Sequence, residues 1–543
     1  MKNKILYIIC VVLGLSWNSC SDFLDRAPDL NLDEDKVFSN YETAYLFQAD
    51  VYSDLRKRFA VIGDWMPPPM ACASDEATGG NAYSIYTGAY DGVDNVLERN
   101  YAGIRKANKF LSKTDIIPFP DEITRDRLIG EVYFLRAFYF HEIIKRYGGM
   151  PILSDIILSL DDDLNYPRNS YRECVDAVLA DLNKAISMLP VSVPVNQIGR
   201  ITKGAAMALK ARMLLYAASP VWNNEIINAD KWRLAANAAL EVIDLKEDDN
   251  NVYKLYSTGA GVSDYEQQFF VRPPQNTEVI FWYNDSPKSF GDEEVRIWAV
   301  IGEGFPGGAG RVLPTQDFVE MYEMIDGKLP EESDLFNPAR PYENRDPRFY
   351  RTIIYNGALW QGRTIETFVG GRQRQRQEDC VTGYYVRKYM SESVMPNTTT
   401  TSYRNWQYIR LADVYLMYAE AINEAEGPDK AYMYVNEIRN RSGMPNLPVG
   451  LTQSQMRERI KRERAIELAF EEHRWWDVRR WMDGEKYFNG TFHAMDVQKN
   501  EDGTFSYTKI PFQQRIYNAK MNLYPIPIDQ MNKNIKYVQN PGW

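Results

Sequence analysis

One cysteine near the start of this chain is placed where a lipid could be attached covalently. Lys2 and Lys4 precede an apolar run over residues 5–15, which is too short to span a bilayer and is typical of a secretion signal. Cys20 follows a small residue shortly after that run, as in a bacterial lipoprotein processing site. We therefore predict that residues 1–19 are removed and that Cys20 is acylated, with more than one acyl chain needed for stable anchoring. The alternative is an ordinary secreted protein whose signal contains this cysteine.

Two later segments, 65–90 and 282–311, combine aromatic side chains with glycine, proline and polar residues. A sugar has flat C–H faces surrounded by hydroxyl groups, so its binding surface needs aromatic planes with polar groups at the rim. Prolines and glycines make the backbone of both segments irregular, so helix packing does not explain their aromatic residues. For any single aromatic residue, packing in the core is the alternative. The predicted ligand contacts are Trp65, Asp75, Tyr83, Tyr86, Trp282 and Trp298.

Two motif-like segments do not support a cofactor or a metal site. Residues 302–307, GEGFPG, have the glycine spacing of a dinucleotide site, but the strand–helix context is missing and Pro306 lacks the N–H that a phosphate cradle uses. His141 and Glu142 begin like a zinc-protease motif, but Lys145 stands where the second histidine would be. We predict a loop at the rim of a site for 302–307 and a surface or interface position for His141, with neither cofactor nor metal.

Three arginines alternate with glutamines at Arg372, Arg374 and Arg376. In an extended segment they would share one face, where charge-assisted hydrogen bonds could hold an acidic sugar or a peptide carboxylate. A solvated loop is the alternative.

The composition excludes some classes of protein. The 543 residues carry a net charge of −11, which becomes about −13 when residues 1–19, with their two lysines, are removed. An acidic surface argues against nucleic-acid binding, because phosphates are neutralised by clustered lysine and arginine. No apolar stretch beyond residue 20 is long enough to span a membrane, and the later cysteines are too widely spaced to suggest a metal site.

The elements that must position these side chains are mostly helical. Apolar residues recur at three- and four-residue spacings in several windows, and Ser170 with Glu173 forms a capping box at the start of one of them. The predicted helices span residues 131–147, 170–190, 203–218, 231–245, 408–426, 428–441 and 452–474.

The middle of the chain differs from these helical regions. Over residues 250–400, glycines, prolines and aromatics crowd together, and short strand-like pieces such as 278–283 alternate with turns. Pairs of helices rich in small residues, of tetratricopeptide-like character, flank this segment, although the 34-residue repeat consensus is absent. Long ordered loops carried by helices often hold binding sites.

Several sequence blocks, in order along the mature chain, closely resemble the RagB/SusD family of surface lipoproteins from the Bacteroidetes. The blocks are LRAFYF (135–140), RYGGMP (146–151), GRITKGAA (199–206), LKAR (209–212), DPRF (346–349), RLADV (410–414), YAEA (418–421), ER (463–464), EL (467–468), FE (470–471), HRWWD (473–477), YPIP (524–527) and QNPG (539–542).

The resemblance implies a mainly α fold, a SusD-like superhelix of tetratricopeptide-like helix pairs with a long irregular insertion of loops and short strands. Residues 20–543 would form a single domain. Its helices would cover about 40–245 and 403–475, the ligand-binding insertion about 250–400, and an irregular C-terminal segment 476–543.

The resemblance also implies a role in nutrient uptake without catalysis. Family members are lipid-anchored and exposed on the cell outer membrane, where they capture oligosaccharides and deliver them to a SusC-like TonB-dependent β-barrel transporter. In the RagB branch the ligands are peptides, and this remains the alternative. A surface glycosidase is the enzymatic alternative and needs two carboxylates roughly 5–10 Å apart across a cleft, which no motif in this chain singles out.

Overall fold

A computed structural model describes residues 34–56, 69–79, 83–88, 94–159, 161–223, 226–376 and 378–543. The predicted signal (1–19), the lipidated Cys20 and Trp65 lie outside these ranges. No helix in the described ranges combines the length and the apolar character needed to cross a bilayer.

Long helices before and after the middle of the chain form the scaffold. They are α1 (Tyr41–Val51), α2 (Leu97–Leu111), α3 (Glu122–Tyr147), α4 (Tyr171–Met188), α5 (Lys203–Ala218), α6 (Ala229–Ile243), α7 (Leu411–Glu426), α8 (Ala431–Arg441), α9 (Gln453–Glu467) and α10 (His473–Arg480). From α1 to α8 each helix packs against the next one in chain order, and α9 packs on α7. This arrangement is the predicted stack of tetratricopeptide-like helices.

Close packing of the first helices depends on a glycine. A Cβ atom added to Gly103 of α2 would lie 2.6 Å from the ring of Tyr139 on α3. The hydroxyl of Tyr139 donates a hydrogen bond to the carbonyl of Val51 at the end of α1, at 2.5 Å. One buried tyrosine therefore joins three successive helices.

Helix ends follow local signals in part. The helix predicted over 203–218 has these bounds, and the Ser170 capping box at the start of α4 is present. In contrast, the prediction of a single helix over 452–474 is wrong. The helical backbone is interrupted between α9 and α10 at Phe470 and Glu472, which have φ of 60° and 66°. The helix predicted from residue 408 starts at Leu411, since the residues before it form a strand.

Residues 244–410 leave the scaffold between α6 and α7, two helices that pack directly on each other. Short helices and strand pairs build this insertion, as predicted. The strands used below, in chain order, are β1 (Ala77–Thr78), β2 (Val279–Tyr283), β3 (Leu313–Pro314), β4 (Trp406–Arg410), β5 (Gly490–Lys499) and β6 (Phe505–Arg515). Antiparallel pairing joins β1 to β3, β2 to β4, and β5 to β6.

The remaining elements are short. Two-residue strands are Lys246–Glu247, Asn250–Asn251, Lys288–Ser289, Ile353–Ile354, Leu359–Trp360, Arg363–Thr364, Tyr385–Val386 and Thr401–Ser402. Short α-helices are Glu34–Phe38, Tyr83–Tyr86, Val262–Gln267, Glu293–Arg296, Gln316–Val319, Phe349–Thr352, Gly484–Tyr487 and Ile528–Lys533. Turns of 3₁₀ helix are Tyr52–Asp54, Met70–Ala73, Val195–Gln197, Pro220–Trp222, Pro330–Glu332 and Ala519–Asn522.

The C-terminal segment is more regular than predicted. Residues 476–543 were expected to be irregular, but β5 and β6 form a hairpin of ten and eleven residues. The prediction is wrong there because the hairpin pairs from Gly490 with Arg515 to Lys499 with Phe505, with one register shift between Phe492 and His493.

A buried network of ion pairs ties the insertion to the scaffold. Arg410 contacts Glu278 at 2.6 Å, Glu467 at 2.8 Å and Glu471 at 2.7 Å, and all four are buried. Burial alone would raise the pKa of Glu467, but Arg441, Arg410 and Arg348 hold it well below its usual range. Because removing one partner would leave an uncompensated buried charge, this network fixes where the insertion sits on the helices.

Candidate ligand-binding site

The two segments predicted to bind ligand meet in the structure. Strand β1, from the first segment, pairs with β3, which follows the second segment, placing Ala77 opposite Pro314 and Thr78 opposite Leu313. The backbone N–H of Thr315 extends the pairing by donating to the carbonyl of Glu76 at 3.2 Å. Segments more than two hundred residues apart in sequence therefore form one continuous surface.

Gly79 lets these two segments approach closely. A Cβ atom at this position would lie 1.8 Å from the backbone carbonyl oxygen of Arg311, much closer than atoms can approach. Glycine has no Cβ, so the backbone of the first segment can lie directly against that of the second.

Buried polar contacts attach the first segment to helix α10 and strand β6. Both oxygens of Asp75 accept hydrogen bonds from Arg474 on α10, at 2.9 and 2.7 Å. Arg515, at the end of β6, donates to the carbonyls of Ser74 at 2.6 Å and Ala77 at 2.9 Å. Ligand contact by Asp75 stays a prediction, and it would require this ion pair to open.

A carboxyl group beneath the site has an unusual environment. Glu76 is completely buried, and this burial raises its pKa to about 8. The backbone N–H of Phe470 donates to it at 2.6 Å, which acts in the opposite direction without cancelling the effect of burial. The base of the site therefore contains a carboxyl group that changes charge near neutral pH.

An open cavity of about 470 Å³ lies where the two segments meet. This size is within the range of small-ligand sites. Its lining residues are Thr78, Gly79, Tyr86, Ile301, Ala309, Gly310, Arg311, Leu313, Arg376, Glu378, Asp379, Val381 and Gln513. We call this cavity the first cavity.

Hydroxyl, amide and guanidinium groups give the first cavity its polar character. The Tyr86 hydroxyl donates to the carbonyl of Cys72 at 2.6 Å, and Thr78 donates to the amide oxygen of Gln513 at 3.4 Å. Arg376 is 70% exposed and pairs with Asp379 at 2.6 Å. This hydrogen bond raises the pKa of Arg376 and lowers that of Asp379, so both groups stay charged.

The three alternating arginines do not share a face. Arg374 is buried, Arg372 binds Glu366, and only Arg376 lines the first cavity. The prediction of a common face is wrong because Gly371 and Arg374 form a bridge within a tight turn rather than lying on an extended segment.

The predicted aromatic contacts lie at different depths. Tyr86 lines the first cavity, and Tyr83 begins the same short helix. Trp282 is buried on β2 with Arg272 over its ring at 5.2 Å, and Trp298 is buried with an edge-to-face contact to Phe470 at 6.1 Å. Ligand contact by these four residues and by Trp65 is untested and stays a prediction.

Several residues of the first cavity were missed by sequence reasoning. Ile301 and Val381 are ordinary apolar residues with no local signal of a site. Gln513 comes from the unpredicted hairpin, although a turn signal, Asp502-Gly503, lies between the two strands and could have revealed it.

Comparison with known proteins places these features in a family context. The sequence matches the SusD family over residues 270–543, and a second family, described as starch-binding associating with outer membrane, over residues 22–215. SusD-like protein P38 of Formosa agariphila is 26% identical over 505 residues, covering 88% of this chain and 91% of the relative. A SusD-like protein of Bacteroides ovatus is 24% identical, covering 94% and 89%.

Solved structures have the same fold. A SusD-like protein from Bacteroides fragilis has a TM-score of 0.79 and 28% identity, covering 94% of this chain and 98% of the other. A laminarin binding SusD-like protein has a TM-score of 0.64 and 22% identity, covering 93% and 100%. The mainly helical, tetratricopeptide-like architecture is therefore shared with these proteins.

Proposed function

Because the chain belongs to the SusD family, we propose that it captures oligosaccharides at the cell surface and delivers them to a SusC-like TonB-dependent transporter. The protein acts by binding, and the transporter supplies the transport step. The laminarin-binding protein of the same fold supports a glycan ligand.

The observation that carries this proposal is the first cavity itself. Two segments distant in sequence are held together by β1–β3 pairing and by the contact of Gly79 with Arg311, and they enclose an open space with a tyrosine, apolar side chains and hydrogen-bonding groups. Apolar surface beside fixed hydrogen-bonding groups suits a sugar ring and its hydroxyls. Trp65 and Tyr83 add aromatic planes to this ligand surface in our proposal.

A binding screen tests the ligand. Soluble protein of residues 21–543 is titrated with neutral and acidic oligosaccharides, and a selective hit is repeated with Arg376→Ala and Trp65→Ala. We expect both variants to bind more weakly. Lys430→Ala is the matched control, because Lys430 is also an exposed, ion-paired cation but lies on the scaffold. Binding of peptides instead of sugars would replace the proposed ligand by that of the RagB branch.

Lipid anchoring is tested separately. In a strain that lacks the partner transporter, Cys20→Ala should release the protein from the outer membrane, because the acylated thiol would be its attachment. Unchanged membrane association of this variant would refute the anchor.

The glycosidase alternative has its own test. Incubation of the purified protein with a bound oligosaccharide should yield no shorter products, and turnover would support the glycosidase alternative instead.

A further inference from the structure

A second and larger cavity, about 700 Å³, lies along the same hairpin. Tyr507 and Lys509 of β6 line it, whereas Gln513 of the same strand lines the first cavity. The two cavities have no lining residue in common within the described parts of the chain. A ligand here would therefore occupy a separate site.

Aromatic rings at two depths line this second cavity. Phe336, Tyr487 and Tyr507 are half-buried, so part of each ring is accessible. Tyr342 and Tyr384 are buried, and Tyr342 meets Tyr507 edge to face at 5.3 Å between ring centroids. Rings fixed by packing against one another provide apolar planes that do not need to reorganise when a ligand binds.

A continuous chain of hydrogen bonds runs from the buried tyrosines to the rim. The Tyr342 hydroxyl donates to that of Tyr384 at 3.3 Å, which donates to Gln316 Oε1 at 2.6 Å. Gln316 Nε2 donates to Glu320 at 3.0 Å, and Lys509 Nζ donates to the other oxygen of Glu320 at 2.7 Å. Such a chain places donors and acceptors side by side along one wall, which matches the hydroxyl groups of a sugar.

One buried donor in the second cavity has no partner. Arg345 is 3% exposed, and its terminal nitrogens donate to the carbonyls of Val319 at 2.6 Å, Tyr322 at 2.9 Å and Pro341 at 3.2 Å. Its Nε–H makes no hydrogen bond within the described parts of the chain. The three hydrogen bonds hold the guanidinium group in place as a fixed positive charge in the wall of the second cavity.

The charges around the second cavity balance. Its positive residues are Arg345, Arg462, Lys486 and Lys509, and its negative residues are Asp317, Glu320, Glu331 and Glu458. The lining thus favours a ligand that carries many hydrogen-bonding groups and no net charge. We infer that this cavity is a second binding site, for a short neutral saccharide. The choice of saccharide rests on the proposed function, while the existence of a separate site does not.

Titration with neutral trisaccharides tests this inference. The probes are laminaritriose, cellotriose, maltotriose, mannotriose, xylotriose and galactotriose, added to soluble protein of residues 21–543 and followed by saturation-transfer NMR and calorimetry. We expect at least one probe to bind, and Tyr507→Ala to weaken that binding about ten-fold through loss of an aromatic plane. Lys509→Ala, a substitution at the exposed rim, should also weaken trisaccharide binding. This variant is the substitute test if Tyr507→Ala does not fold.

Matched variants separate the two cavities. Phe505→Ala removes a half-buried ring from the same strand, but Phe505 packs on Phe368 and does not line the second cavity, so binding should be unchanged. Arg376→Ala should leave the Tyr507-dependent binding intact, even if the first cavity proves to bind nothing. No binding by any probe, equal effects of Tyr507→Ala and Phe505→Ala, or selective binding of a neutral tripeptide at this site would each overturn the inference.

Discussion

Asp75 and Arg474 form a buried ion pair with two hydrogen bonds, although they are 399 positions apart in the sequence. The pair joins the first ligand segment to α10 of the scaffold. Because the ligand surface continues directly from Asp75 through Gly79, the geometry of the first cavity depends on this contact as well as on the residues that line it.

Breaking the pair should destabilise the protein strongly. Asp75→Asn leaves the Arg474 cation buried without a carboxylate, and we expect the free energy of unfolding to fall by about 3–5 kcal/mol in urea titrations. Asp230→Asn is the control, since the exposed pair of Asp230 with Arg233 should contribute less than about 1 kcal/mol. Similar losses in the two variants would contradict a structural role for Asp75.

Gly79→Ala should disturb the first cavity. The added Cβ would overlap the carbonyl oxygen of Arg311, so the two segments must separate, lowering both stability and oligosaccharide affinity. Gly291→Ala is the control, because a Cβ atom at this exposed position would lie 3.7 Å from the hydroxyl oxygen of Ser289, an ordinary contact, and this substitution should change stability by less than about 0.5 kcal/mol. Thermal unfolding and calorimetric titration measure the two effects, and an unchanged affinity in Gly79→Ala would exclude this contact from the site.

Glu76 should make stability depend on pH between about 4.5 and 8. In this window the folded protein keeps the Glu76 proton, whereas the unfolded chain, with an ordinary pKa, has lost it. The contribution of Glu76 to the free energy of unfolding should therefore fall as pH rises through the window and level off above pH 8, with a total change of about 5 kcal/mol from this group.

Glu76→Gln should remove this contribution from the pH profile, because glutamine does not titrate, so stability should fall less with rising pH in the variant than in the parent protein. Urea unfolding of both proteins from pH 4.5 to 9 gives the comparison. Glu343→Gln, at an exposed position, should retain the slope of the parent protein. If Glu76→Gln leaves the slope of the parent profile unchanged, Glu76 is ionised throughout the range.

The capping box at Ser170 should contribute measurably to stability. The Ser170 hydroxyl accepts from the N–H of Glu173 at 3.3 Å, and the Glu173 carboxylate accepts from the N–H of Ser170 at 2.8 Å. Ser170→Ala should lower the free energy of unfolding by about 1 kcal/mol. Ser187→Ala, near the exposed end of the same helix, should lower it by less than half as much, and equal losses would argue against the cap.

Local signals explain why parts of the fold were predictable. Ser170 and Glu173 satisfy each other's backbone groups within one turn, so the start of α4 depends only on neighbouring residues. The break between α9 and α10 is different, because the N–H of Phe470 is satisfied by Glu76, almost four hundred residues away in sequence. The spacing of apolar residues within 452–474 carries no information about that distant contact.

Buried polar residues were the hardest to place from sequence. His141 was predicted at a surface or interface, yet it is 1% exposed, and its Nδ1 lies 3.4 Å from the Met213 sulfur. Burial lowers the pKa of His141 to about 3, so it is neutral at ordinary pH. For the candidate site, sequence identified the two segments that meet, but residue type could not separate rings that pack, such as Trp298, from rings beside the first cavity, such as Tyr86.

The position of the insertion has a consequence for how such proteins diversify. The insertion departs and returns between α6 and α7, two helices in direct contact, so recombination could replace it with another of different length while the helical stack stays intact. A replacement would have to retain the arginine at Arg410, because Glu467 of the scaffold helix α9 is buried against it. New ligand specificities could therefore be acquired by exchanging the whole insertion, provided that its buried ion pair with the helical scaffold is kept.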